Sequence, residues 1–117
     1  MADPVAKLPP QNIEAEQSVL GALMLDKDAI SKVADFLHAD DFYRNSHQTI
    51  YQAMLDLYQK GEPIDHVNLV NRLKSVKKLE DVGSTVYLTN LVNSVPAANH
   101  VTHYAQIVKE KRLLRDL

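Results

Sequence analysis

Apolar residues along this chain recur with a helical period in five or six separate blocks, and between the blocks stand the residues that start and stop helices. The stretch from Pro10 to Asp26 is the clearest. Asn12 is placed to accept a hydrogen bond from a free amide of a first turn, and Glu14 and Glu16 suit a helix's positive end, so a helix is expected from about Ile13. Val19, Leu20, Leu23 and Met24 then share one side of the 3.6-residue period. Gly21 within that side costs roughly 1 kcal/mol of helix propensity relative to alanine, which is accounted for if a neighbouring helix passes close by. We expect this to be the central helix of an all-helical bundle.

The remaining blocks extend the pattern. Asp28 is read as the cap of a second helix carrying Ile30, Val33, Ala34 and Leu37, and Asp40 and Asp41 as turn formers ahead of Phe42 and Tyr43, aromatics expected to tuck against the bundle. A third helix from Asn45 or Ser46 presents Ile50, Tyr51, Met54, Leu57 and Tyr58, and is stopped by Gly61 and Pro63. Asp65 caps a fourth helix with Leu69, Val70 and Leu73 facing inward, Ile64 and Leu69 being spaced as a hydrophobic staple. After Gly83, a helix with Leu88, Leu91, Val92 and Val95 runs to Pro96, and a last helix starts near Asn99.

The predicted architecture is therefore all-α: a flexible leader over 1–10, a compact bundle of about four helices over 11–82, and a C-terminal helical hairpin over 83–117. The last helix carries two stripes, one of Val101, Tyr104, Ala105 and Val108 and another of Ile107, Leu114 and Leu117. Two stripes exceed what one neighbouring helix covers, so self-association through the hairpin is expected, with packing on the main bundle as the equal alternative.

Composition narrows the chemistry. At 117 residues the chain is long enough for one domain with its own core, and without cysteine it has neither a disulfide framework nor a thiolate site, which suits a reducing cytoplasm. No apolar run reaches the length of a membrane span, and Met1 to Pro10 lacks the layout of a signal peptide. The net charge of −2 comes from interspersed acids and bases, so no basic stripe for nucleic acid stands out. Lys74, Lys77 and Lys78, and then Lys109, Lys111, Arg112 and Arg115, are read as solvated helix faces.

Catalytic signatures are not found. Only three glycines occur, far apart, and none precedes a lysine, so neither a phosphate-cradling loop nor a dinucleotide fingerprint is present. His100 and His103 are three apart but lack a third partner for zinc, and the acid pairs Asp26/Asp28 and Asp40/Asp41 fall at helix boundaries where capping explains them. A metal-binding protein built on these histidines, or a stand-alone helical DNA-binding domain, is the alternative class of reading.

Taken together, Pro9-Pro10-Gln11-Asn12-Ile13-Glu14-Ala15-Glu16-Gln17-Ser18-Val19-Leu20-Gly21, then Asp41-Phe42-Tyr43, His47 with Ile50, Gly61 with Pro63-Ile64-Asp65, Tyr87-Leu88 with Leu91, and Pro96 with Asn99, Tyr104-Ala105 and Ile107-Val108 resemble the N-terminal domain of the DnaB family of bacterial replicative helicases. The resemblance implies a domain of a homohexameric ring, joined in the intact protein to a motor that uses ATP and magnesium to unwind DNA at the fork. It implies that these domains pair through their hairpins into a collar, and that the collar receives the C-terminal helicase-binding domain of primase. DNA would be met only through the full ring.

On that basis the fragment itself is not an enzyme and holds no cofactor or metal. Leu88, Leu91, Val92, Tyr104, Ile107, Val108 and Leu114 are the expected self-association residues, and Glu14 and Tyr87 the expected primase contacts.

Overall fold

The structure, a computed structural model, describes residues 8–117, so the leader expected over 1–10 falls largely outside the described residues. Six helices follow in order: α1 (Ile13–Leu25), α2 (Ala29–Val33), α3 (Asn45–Gln59), α4 (His66–Ser75), α5 (Ser84–Asn93) and α6 (Val101–Arg115), with 3-10 turns at Ala39–Asp41 and Ala98–His100. No strand occurs among the described residues. The all-helical class is the one the apolar periodicity predicts.

The local punctuation acts as expected at most boundaries. Asn12 Oδ1 accepts from Ala15 N at 3.0 Å and starts α1, and Asp65 Oδ1 accepts from Asn68 N at 2.8 Å and starts α4. Gly61, with φ of 73°, ends α3 in the left-handed region, while Glu62 N reaches back to the Leu57 carbonyl at 2.9 Å. Asp28 behaves differently: its side chain caps nothing, and instead Asp26 Oδ1 accepts from Asp28 N at 3.0 Å, closing a tight turn that leaves α2 only one and a half turns long.

The same left-handed ending at α4 falls on a residue with a Cβ. Lys77 has φ of 60°, and Lys78 N donates to the Leu73 carbonyl at 2.9 Å. Lys77→Gly relieves that conformation, and chemical denaturation is expected to show a gain of about 0.5–1 kcal/mol after the added chain entropy of the unfolded state is subtracted.

α1 is the axle of the domain. Ala15, Glu16, Ser18, Val19, Leu20, Gly21, Ala22 and Leu23 are all buried, which is more of the helix circumference than the single apolar side read from the sequence. A helix enclosed on nearly every side needs several neighbours, and α3, α5 and α6 supply them. Gly21 makes one of these contacts possible: a Cβ there would lie 2.2 Å from Val95 Cγ2 and 2.3 Å from the Leu91 carbonyl oxygen. The close helix approach expected at Gly21 is thus made by the end of α5.

The closing helices differ from a simple hairpin. The main contacts of α5 and of α6 are with α1, so each buries its stripe against the axle and not chiefly against the other. Leu88 and Leu91 enter the core from α5, and Val101, Ala105 and Val108 from α6. On α3, Ile50, Tyr51, Met54 and Leu57 are buried as expected, whereas Tyr58, one residue from the helix end, is 43% exposed.

Tyr51 gives the fold a pH limit. Its ring is fully buried beside Phe42, and its hydroxyl donates to the Leu37 carbonyl at 2.9 Å. Burial first, and then the nearby Asp41 carboxylate, push the phenol's pKa well above the ordinary 10.0. The unfolded chain therefore releases this proton at a lower pH than the folded chain does, and stability contributed by neutral Tyr51 is complete below pH 10.0 and falls as pH rises past it. Unfolding midpoints measured from neutral to alkaline pH should fall less steeply above that value in Tyr51→Phe than in the unmodified protein.

Candidate partner-docking surfaces

Polar chemistry is concentrated at the N-terminal end of α1, where it is structural. Glu16, only 1% exposed, is carried by α1 three and four residues ahead of Val19 and Leu20, and so faces the interior. Its Oε2 accepts from Tyr43 N at 2.6 Å, and its Oε1 lies 3.4 Å from Arg44 N and 2.8 Å from His47 Nδ1. The carboxylate thus takes up free amides at the start of α3, where the helix dipole also favours a negative charge.

The network continues to α5. His47 Nε2 is 2.5 Å from the Tyr87 hydroxyl, which also lies 3.2 Å from Gln17 Nε2 and 3.3 Å from Arg44 NH1. Gln17 and Arg44 donate to this hydroxyl, and His47 Nε2 shares a third hydrogen bond with it. His47 thus bridges Glu16 and Tyr87, its Nδ1 hydrogen-bonded to the former and its Nε2 to the latter. Each polar group has its partner, and α1, α3 and α5 are locked together.

A second polar set fastens α6. Asp41, 4% exposed, accepts from His38 N at 2.8 Å and pairs with Lys109 Nζ at 3.1 Å. Arg115 donates to the carbonyls of Asp41 and Pro10, each at 2.8 Å, and its guanidinium lies 5.4 Å from the centre of the Tyr43 ring. Arg112 donates to the Asp40 carbonyl. Lys109, Arg112 and Arg115 therefore clamp α6 onto the turn before α3, which corrects their reading as a solvated face. Lys74, Lys77 and Lys78 are exposed as expected.

The expected self-association residues separate into three groups. Leu88, Leu91 and Val108 are at most 1% exposed, which corrects their assignment to an outer contact: they form the core because α5 and α6 each turn their first stripe onto α1. Val92, Tyr104 and Ile107 are half-buried. Leu114 is 43% exposed and stands beside Leu113 at 59%, an exposed leucine outside the stripes read from the sequence.

Glu14 is exposed, whereas Tyr87 is half-buried with its hydroxyl inside the network. Glu14, Tyr104 and Ile107 come together along a cleft of about 390 Å³ between α1 and the α5–α6 connection, which also includes Pro96. His100 and His103 are exposed, each with its ring near that of Tyr104, and no group of three or more metal-ligating side chains forms among the described residues.

Glu16, His47, Gln17 and Arg44 do not stand out as a unit in the sequence. The one available signal was an acid at a core position of α1, since its partners lie 27 to 31 residues away along the chain.

These features define an all-helical scaffold whose buried polar groups brace its own backbone. The model of the DnaB-like helicase N terminal domain matches residues 8–110, and the chain belongs to that family. It is 52% identical over 111 residues to the replicative DNA helicase DnaC of Bacillus subtilis (strain 168), a match covering 95% of this chain and 24% of that protein. It is 49% identical over 109 residues to the replicative DNA helicase DnaB of Mycobacterium leprae (strain TN), covering 93% and 18% respectively. The chain thus spans about a quarter or less of the length of these curated relatives.

Among solved structures, the N-terminal domain of DnaB helicase from Mycobacterium tuberculosis superposes with a TM-score of 0.90 at 48% identity, over 92% of this chain and 78% of that one. A DnaB-like replicative helicase described with its interactions with primase gives a TM-score of 0.80 at 31% identity, over 90% of this chain and 25% of that one. No helix among the described residues is long and apolar enough to cross a membrane.

Proposed function

We propose that this chain is the assembly and primase-recruiting domain of a hexameric replicative DNA helicase acting in the cytoplasm. In this reading the domain supplies subunit pairing and partner docking, and a motor elsewhere in the protein hydrolyses ATP with magnesium, encircles DNA and unwinds it. The observation that carries the reading is the TM-score of 0.90 at 48% identity to a DnaB N-terminal domain. The sequence adds its own support, since no glycine precedes a lysine as a phosphate loop requires.

Subunit contact is assigned to the outer edge of α6 at Leu113 and Leu114, with the half-buried Val92, Tyr104 and Ile107 as contributors. Primase contact is assigned to the cleft beside Glu14, with Tyr87 as a second contact. Light scattering over a concentration series is expected to show association of this chain, weakened about tenfold or more by Leu113→Asp/Leu114→Asp, because a charge would be desolvated at the contact. Both side chains are exposed in the single chain, so the variant keeps its fold. Association unchanged in the folded variant would remove this edge from the assembly.

A further inference from the structure

The end of α1 remote from Glu14 carries a different surface. Two adjoining clefts, of about 520 and 370 Å³, form where the α1–α2 and α3–α4 connections meet, and they share Lys27, Asp28, Pro63 and Ile64. Met24, at this end, lies about 15 Å from Glu14 along the α1 axis. The lining is apolar over Met24, Pro63 and the buried Ile64, and it is edged by Leu25 and Tyr58, which are 53% and 43% exposed.

The rim is one-sidedly acidic. Asp26, Asp28, Glu62 and Asp65 line the two clefts against the single cation Lys27. Asp26 and Asp65 are engaged by backbone amides, Asp28 N at 3.0 Å and Asn68 N at 2.8 Å. Among the described residues the carboxylates of Asp28 and Glu62 enter no ion pair and accept no hydrogen bond. Both are exposed beside the apolar lining.

We infer that this surface docks a partner protein segment in which one or two bulky apolar side chains are flanked by lysine or arginine. The apolar lining between Leu25 and Tyr58 receives the hydrophobic anchor, and the unpaired Asp28 and Glu62 carboxylates meet the flanking cations. No internal ion pair has to be broken for this to happen. The walls are set before binding by the Asp26 turn, the Gly61 stop and the Asp65 cap, so little ordering entropy opposes the contact. The same acids repel DNA and anionic lipid, which leaves a basic polypeptide as the complementary partner. This inference is independent of the primase reading, which concerns the other end of α1.

The test is fluorescence anisotropy of a short fluorescein-labelled peptide, with a Leu-Phe-Leu core flanked by lysines, titrated with the whole chain. Saturable binding that weakens with added salt is expected. Asp28→Lys/Glu62→Lys should lower the affinity about tenfold or more, and Glu80→Lys/Asp81→Lys, outside both clefts, should leave it unchanged. Circular dichroism establishes that both variants are folded. Absence of saturable binding, equal binding of a peptide flanked by glutamates, equal loss in the two variants, or no loss in the first variant would each overturn the inference.

Discussion

Gly21→Ala is expected to destabilise the domain by about 3 kcal/mol or more, lowering its thermal midpoint by roughly 10 °C or more in a circular dichroism melt. Alanine is ordinarily the better helix former by about 1 kcal/mol, so the sign of the effect rests entirely on packing. The added methyl would meet the Leu91 carbonyl oxygen at 2.3 Å and its carbon at 3.0 Å. These are backbone atoms, which cannot rotate away as a side chain can. Moving them shifts α5, and with it the buried Leu88 and Leu91 and the Tyr87 hydroxyl that meets His47. A neutral or stabilising Gly21→Ala would mean that α5 does not cross α1 there.

Glu16→Leu is expected to cost about 3–5 kcal/mol in chemical denaturation, the range for removing one partner from a buried ionic or hydrogen-bonded set. The leucine suits the apolar surroundings and adds helix propensity, yet it leaves Tyr43 N, Arg44 N and His47 Nδ1 without the acceptor they share. Glu16→Gln should not restore stability, because its amide places a donor where a second acceptor is needed. Tyr87→Phe is the milder control. It removes one hydroxyl at the edge of the same network and should cost about 1 kcal/mol, with a double-mutant cycle against Glu16→Leu departing from additivity. Additive losses would mean that the two ends of the network act separately.

The contrast between these sites explains what the sequence could and could not reveal. Asn12, Gly61 and Asp65 were readable because capping is settled within three to five residues of the chain, and each sits where its chemistry demands. Gly21 was readable as a point of close approach, though not which helix approaches. Apolar periodicity identifies the side of a helix that is buried but not its partner. Leu88, Leu91 and Val108 therefore suited an outer contact equally well until α1 was seen to lie between the last two helices.

Long-range polar pairs left still less trace. Arg115 reaches Pro10 across 105 residues and Asp41 across 74, so a cluster of bases near the end of the chain looked like a solvated face when it is a clamp. Asp28 failed as a cap for a local reason: the competing turn at Asp26 uses the amide of Asp28 and shortens the helix that follows.

The clamp and the Glu16 network together hold the Glu14 cleft in shape, since Asn12, Gln17, Tyr104 and Ile107 all line it from elements that they fasten. Docking of a primase domain at this cleft is the central functional claim. Its most direct test is isothermal titration calorimetry of this chain with an isolated primase C-terminal domain, repeated with Glu14→Lys, a change at an exposed position that leaves the fold intact. Saturable one-to-one binding is expected in the unmodified chain, with an affinity reduced about tenfold or more in the variant. No binding by the folded chain, or equal binding by the variant, would contradict it.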